Sequence, residues 1–154
     1  MERRSIPMEE LMPLLQLQME QGGQAFLTVT GSSMLPMVTP HRDRVWLMPC
    51  PEQLRCGDVI LYRRDNGQYV LHRIIRLSQS MICCGDNQWK AEAVRPDQAI
   101  ALVTAFDRDG KHYTTHAWIY RLYVLMMTRL FFLRRAYIAV RRWLGRIRRH
   151  LQRK

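Results

Sequence analysis

The sequence lacks a long apolar run, although 47% of its residues are hydrophobic. A helix that crosses a bilayer needs about 20 consecutive apolar residues, so no transmembrane helix is predicted. The N-terminal residues 1–5 are not followed by the apolar region of a secretory signal peptide. Together these two absences predict a cytoplasmic protein.

Cysteine is scarce, and its spacing excludes the usual cysteine-based sites. Cys83 and Cys84 are adjacent, so their side chains would point to opposite faces of a strand. Together with Cys50 and Cys56 they form no CxxC pair, and no paired histidines lie near them. We therefore predict reduced thiols, no zinc site and no cofactor.

Acidic residues are absent from residues 117–154, which contain ten Arg and one Lys. The first 116 residues contain equal numbers of basic and acidic groups, so the whole net charge of +11 lies in the C-terminal segment. We therefore predict a neutral domain over residues 1–116 and a basic tail over residues 117–154.

The tail has the pattern of an amphipathic helix over residues 132–151, with apolar residues on one face and arginines on the other. We favour a helix that lies in the plane of an anionic membrane, which would place the protein peripherally at the inner face of that membrane. The simpler alternative is a helix that packs its apolar face on the domain. Nucleic-acid binding is the least favoured, because no reading motif accompanies the charge.

The neutral domain has the pattern of one helix followed by strands. Residues 7–21 predict a helix that Gly22 and Gly23 would end. Turn signals then separate six or seven strands within about residues 25–106, and no helix lies between them. The clearest strands cover residues 26–30, 44–48, 58–63, 68–77, 81–84 and 99–106, with a hairpin at Asp65–Gly67. This pattern predicts a small, mainly β domain.

A candidate nucleophile lies where the first strand ends, in Gly31-Ser-Ser-Met-Leu-Pro36. A serine needs a base, because its free hydroxyl is a weak nucleophile at neutral pH. Arginine cannot accept a proton, and the three lysines are Lys90, Lys111 and Lys154. His72 lies within a predicted core strand. The ordinary alternatives are a serine-rich loop and a packed core histidine.

A candidate acid follows in Gly85-Asp86-Asn87 or at Glu92. A carboxylate beside His72 would hold the imidazole in one tautomer and stabilise its cationic form. Asp86 has an ordinary alternative role as well, because aspartate side chains commonly bond the backbone of their own turn.

Four ordered blocks carry a resemblance: Gly31–Pro36, Gly57–Tyr62, Val70–Ile75 and Gly85–Asn87. Across about residues 25–106 the chain resembles the type I signal peptidase family and the related self-cleaving repressors, in the variant that uses histidine. The resemblance implies an all-β, coiled, barrel-like catalytic domain. It also implies cleavage after small residues in an extended peptide that binds as an added strand.

The resemblance assigns roles to individual residues. The nucleophile would be Ser33, which directly precedes the methionine, and the base would be His72 in the His72-Arg73 pair. The backbone N–H of Ser33 would hold the oxyanion, with the Ser32 hydroxyl as a second donor. The family has aspartate as its orienting acid, so the choice between Glu92 and Asp86 stays open.

The sequence thus predicts a serine endopeptidase that cleaves a leader or signal-like peptide, in cis or in trans. The alternative is a non-catalytic module of the same fold that binds peptides or membranes. A histidine base predicts that activity falls below about pH 6.5. A requirement for strongly alkaline pH would instead indicate a lysine base, with Lys90 as the candidate.

Overall fold

The computed structural model describes residues 6–129 and residue 140. The elements are α1 Met8–Glu20, β1 Ala25–Thr28, β2 Arg44–Pro49, β3 Val59–Arg63, β4 Tyr69–Leu77, β5 Met81–Cys84, β6 Glu92–Val94, β7 Ala99–Arg108, β8 Lys111–Thr114 and α2 Trp118–Arg129. A single 3-10 turn, Pro96–Gln98, separates β6 from β7.

The strands form one antiparallel sheet in the order β1-β2-β7-β3-β4-β5-β6, and β8 pairs with β7. The mainly β class is therefore confirmed, as an open antiparallel sheet with two helices. The sequence did not predict β6 and β8. Strand β6 has only three residues, and all four residues of β8 are exposed. Neither strand therefore has the alternation of apolar and polar residues that marks a half-buried strand.

Strand β3 lies at the centre of the fold and is buried on both faces. Val59 and Leu61 belong to a core cluster that also includes side chains of α1, β2 and β7. Ile60 and Tyr62 point the other way, into a second cluster with Ile74 of β4. Burial on both sides explains why β3 is a nearly continuous apolar run rather than an alternating one.

The predicted hairpin joins β3 to β4. Gly67 has a φ of 85°, and the backbone N–H of Arg64 donates to the carbonyl of Gln68. The resulting register pairs Ile60 with His72. Because successive residues of a strand point to opposite faces, this register directs His72 and Arg73 to opposite sides of the sheet.

The two helices are the first and the last elements of the described chain. Helix α1 buries Met12, Leu15 and Met19, which lie three or four residues apart and so share one face. It ends before Gly22, which has a φ of 74°, so the predicted helix is confirmed. Helix α2 buries Tyr120 and Met127. The predicted amphipathic helix over residues 132–151 lies outside the described residues, apart from residue 140.

Among the described residues, neither α1 nor α2 has the combination of length and apolar character that a membrane crossing needs. The division of the chain at residue 117 stays a prediction.

Candidate active site

Ser33 lies in the turn that follows β1 and is partly buried. The next residue, Met34, is completely buried and holds the turn against the core. The loop that contains Asn87 also holds this turn in place. The backbone N–H of Asn87 donates to the Ser33 carbonyl over 2.7 Å, and the Asn87 side chain donates to the Ser32 carbonyl over 3.2 Å. The backbone at Ser33 is therefore fixed by a segment more than fifty residues away.

Gly85 lies between Ser33 and His72. The position that a Cβ would occupy on Gly85 is 2.9 Å from the Cβ of Ser33 and 3.1 Å from Nε2 of His72. It is also only 2.7 Å from the Ser33 carbonyl oxygen. The serine and the histidine therefore both lie close to Gly85. The space beside that glycine is too small for a side chain at position 85.

His72 is 2% exposed and lies in β4 beside two polar side chains from other strands. Its Nδ1 is 3.0 Å from the Tyr62 hydroxyl and 3.2 Å from Oε1 of Glu92. Tyr62 of β3 is the diagonal cross-strand neighbour of His72, since β3 pairs Tyr62 with Val70 and Ile60 with His72.

The hydrogen bonds around Tyr62 define the tautomer of His72. The Tyr62 hydroxyl donates its one proton to Glu92 over 2.5 Å, because an ionised carboxylate can only accept. Towards His72 the tyrosine oxygen can then only accept, so the imidazole proton is on Nδ1. This assignment follows from the hydrogen-bond network. It leaves the lone pair on Nε2, the nitrogen beside Gly85 and Ser33.

Arg64 holds Glu92 in place. Its guanidinium donates to both carboxylate oxygens, over 2.8 Å to Oε2 and 2.6 Å to Oε1. Burial acts to raise the pKa of Glu92, but the hydrogen bonds from Arg64 and Tyr62 outweigh it and keep that pKa below its ordinary value. Glu92 is therefore charged at neutral pH.

Burial also controls the protonation of His72. Removal from water disfavours the imidazolium and lowers the pKa of His72 from 6.5 to about 4, although the charge of Glu92 acts in the opposite direction. The imidazole is therefore neutral over the physiological range, the form in which it can accept a proton.

Asp86 lies in the same loop as Gly85, but its carboxylate is engaged on the other face of the sheet. Arg73, which is completely buried, donates to both of its oxygens over 2.8 and 2.7 Å. The Tyr123 hydroxyl of α2 donates to Asp86 Oδ2 over 2.8 Å. Burial disfavours a charged guanidinium, but Asp86 more than compensates and raises the pKa of Arg73 above its ordinary value.

The structure thus brings Ser33, His72 and Glu92 together and joins Asp86 to Arg73 and Tyr123. Tyr62 and Arg64 were not among the site residues predicted from the sequence. The hairpin pattern contained a signal for Tyr62, because the register set by Asp65–Gly67 places it diagonally opposite His72. Arg64 had no such signal, since its partner Glu92 is 28 residues away along the chain.

The other candidate bases lie in different surroundings. Lys90 is exposed, with its ammonium group 5.5 Å from the centre of the Trp89 ring. Lys111 is exposed in β8, while Lys154 lies outside the described residues. Within residues 6–129, no group of three His, Cys, Asp or Glu side chains lies close enough together to hold a metal ion.

A groove of about 540 Å³ opens in front of Ser33 and His72. Its lining includes Leu27 and Val29 from the segment that begins at β1 and Tyr69 and Leu71 from β4. Ser32 also lines this groove. The groove is therefore a partly apolar space lined by the segment that begins at β1, by strand β4 and by the start of α1, with the serine and the histidine in its wall.

Comparison with known proteins gives no match for this chain, whether among protein-family models, curated proteins or solved structures.

Proposed function

We propose that this protein is a serine endopeptidase of the signal-peptidase type, with Ser33 as the nucleophile and His72 as the general base. The observation that carries the proposal is the position of Gly85, whose missing side chain leaves Ser33 Cβ and His72 Nε2 at 2.9 and 3.1 Å from one point. A base must lie within reach of the hydroxyl proton that it removes.

In the proposed reaction, Ser33 Oγ attacks the carbonyl carbon of the scissile peptide bond while its proton moves to Nε2 of His72. The tetrahedral intermediate then breaks the C–N bond, and His72 gives that proton to the leaving amine. Water attacks the resulting acyl-enzyme with His72 again as base, which releases the acid product and regenerates Ser33. The lone pair on Nε2 supports this role.

Glu92 is the proposed orienting acid, acting on His72 directly and through Tyr62. Its negative charge stabilises the imidazolium that forms in each step, and the Tyr62 oxygen accepts a hydrogen bond from Nδ1–H. The backbone N–H of Ser33 and the hydroxyl of Ser32 are the proposed donors to the oxyanion. Asp86 has a structural role in this proposal, because it joins Arg73 and Tyr123 to the loop beside Ser33.

The proposed substrate is an extended peptide with small residues before the cleaved bond, such as a leader or signal-like peptide. A groove lined by residues of the edge strand β1 suits an extended chain, because a peptide can add to a strand edge by backbone hydrogen bonds. We further propose that the sheet is coiled like the barrel of that family. The burial of β3 on both faces supports this.

The nucleophile can be tested without knowing the substrate. A fluorophosphonate reacts covalently with an activated serine, and mass spectrometry of the digested protein locates the adduct. We expect an adduct on Ser33 in the wild type, none in Ser33→Ala and a strongly reduced rate in His72→Ala. Ser78→Ala, which removes an exposed hydroxyl from another loop, is the matched control and should react like the wild type.

A second assay tests peptidase activity itself. A pool of peptides with small-x-small sites is incubated with each variant, and mass spectrometry follows the products and the mass of the protein, which also detects self-cleavage. Cleavage that is lost in Ser33→Ala and His72→Ala supports the proposal. Cleavage that survives Ser33→Ala overturns it. Peptide binding without labelling or cleavage in any variant would instead identify a binding module.

A further inference from the structure

Helix α2 exposes a continuous apolar surface to solvent. Its members lie one helical turn apart or are adjacent, so they share one side of the helix. We call this surface the α2 apolar face. It consists of Trp118 (74% exposed), Ile119 (64%), Leu122 (60%), Leu125 (52%) and Met126 (48%).

The opposite side of α2 is fixed to the sheet, so the α2 apolar face cannot turn inward. Arg73 donates to the Tyr120 hydroxyl over 3.0 Å, and its guanidinium lies against the rings of both Tyr120 and Tyr123. The Tyr123 hydroxyl is bonded to Asp86. Val124 approaches Gly57 so closely that a Cβ on that glycine would clash with the valine side chain. The helix is thus anchored by a buried ion pair.

Burial of the α2 apolar face by a partner would be favourable, because removal of large apolar side chains from water lowers the free energy. Large contiguous apolar patches on a folded protein mark sites of association with proteins or membranes. The charge around the patch decides between these partners.

The charged residues within α2 itself are both arginines. Arg121 and Arg129 are exposed on α2, and Arg129 lies against Leu125 and Met126 at the edge of the patch. The sequence from residue 117 to residue 154 contains no acidic residue and 11 basic ones. Two copies of the chain would repel each other here, whereas an anionic surface would be attracted.

We propose that the α2 apolar face docks on an anionic lipid surface, with the helix in the plane of the interface. Apolar side chains with a tryptophan at one end and arginines beside them are the combination that interfacial helices use. The inference goes beyond the proposed peptidase function and does not depend on it. The bound helix would hold the sheet domain beside the membrane through Tyr120 and Tyr123.

The test is sedimentation of the full chain with lipid vesicles. One set contains phosphatidylcholine alone and the other equal parts of phosphatidylcholine and phosphatidylglycerol. We expect binding to the anionic vesicles, weakened by high salt because salt screens the charges. The double variant Leu122→Asp/Leu125→Asp should bind at least about tenfold more weakly, because it places two charges in the interface.

Leu77→Asp is the matched control, because Leu77 is also an exposed leucine (42%) but lies at the end of β4. It should bind like the wild type, and circular dichroism should show that all variants are folded. Binding that is equal in wild type and double variant would overturn the proposal, as would equal losses in the double variant and the control. So would the absence of binding to anionic vesicles, or sedimentation equilibrium that shows a dimer broken by the double variant.

Discussion

The Tyr62 hydroxyl lies 3.0 Å from Nδ1 of His72, and it donates its own proton to Glu92. One hydroxyl group therefore joins the imidazole to the carboxylate and determines which nitrogen of the imidazole faces Ser33. The tyrosine is well suited to this position, because burial and the neighbouring Glu92 raise its pKa far above the ordinary value and keep the proton on its oxygen.

Removal of this hydroxyl should impair the reaction of Ser33. In Tyr62→Phe, His72 loses one acceptor for its Nδ1 proton and keeps only the longer contact with Glu92. We expect the rate of fluorophosphonate labelling to fall about tenfold, the effect of one hydrogen bond to a charged network. Tyr113→Phe, at an exposed position of β8 outside the groove, is the control and should react like the wild type. Equal rates in the two variants would contradict a positioning role for Tyr62.

The pH dependence of labelling should report the burial of His72. The base must be unprotonated, so the rate should rise with pH as the imidazolium loses its proton. Burial lowers the pKa of His72 from 6.5 to about 4, which moves the expected midpoint below the pH 6.5 that an exposed histidine would give. Labelling rates of the wild type measured across the acidic range test this. A midpoint near 6.5 would be inconsistent with a buried imidazole.

The same burial predicts a pH-dependent contribution to stability. Below pH 6.5 the unfolded chain protonates His72, while the folded protein resists protonation until about pH 4. The free energy of unfolding should therefore decrease as the pH falls between these values. Relative to His72→Gln, which does not titrate, we expect the wild type to lose about 2 to 3 kcal/mol over this interval. Urea unfolding of both proteins at neutral and acidic pH gives the difference. Parallel curves would exclude the effect.

A methyl group on Gly85 should disrupt the site. In Gly85→Ala the new Cβ would be too close to the Ser33 backbone and to Nε2 of His72, so the serine and the histidine must separate. We expect loss of labelling and a decrease of about 1–3 kcal/mol in the free energy of unfolding. Gly31→Ala is the control two residues before Ser33, because nothing lies within 4 Å of its Cβ position. A Gly85→Ala protein that is labelled at the wild-type rate would rule out the close approach.

The buried pair of Arg73 and Asp86 should be essential for stability. Arg73→Met leaves the Asp86 carboxylate without its main partner inside the protein, and we expect a loss of about 3–5 kcal/mol in urea unfolding. The double variant Arg73→Met/Asp86→Asn should regain part of this loss, because no charge is left buried. Arg76→Met, at an exposed position of the same strand, is the control and should have little effect. Similar losses in Arg73→Met and Arg76→Met would contradict this account.

Much of the fold could be predicted from local patterns. The β3–β4 hairpin was predicted from Asp65–Gly67, and Gly22 ends α1 as expected, because each depends on a few neighbouring residues. The short strands β6 and β8 were missed, since their residues have no apolar alternation and pair only because a longer strand lies beside them. Gly31, two residues before Ser33, has no positive φ and open surroundings, so the site does not depend on a glycine there. The glycine that the site needs is Gly85.

The sequence by itself determined helix α1, the strands other than β6 and β8, and the concentration of charge in the tail. These depend on the order of residues along the chain. Only the tertiary structure decided which carboxylate meets His72, because that depends on the register between distant strands. Residues 72 and 73 point to opposite faces, so the glutamate of β6 meets the histidine and the aspartate meets the arginine. The fold likewise decided which side of α2 is covered, since Arg73 and Asp86 bind Tyr120 and Tyr123 and leave Leu122 in water.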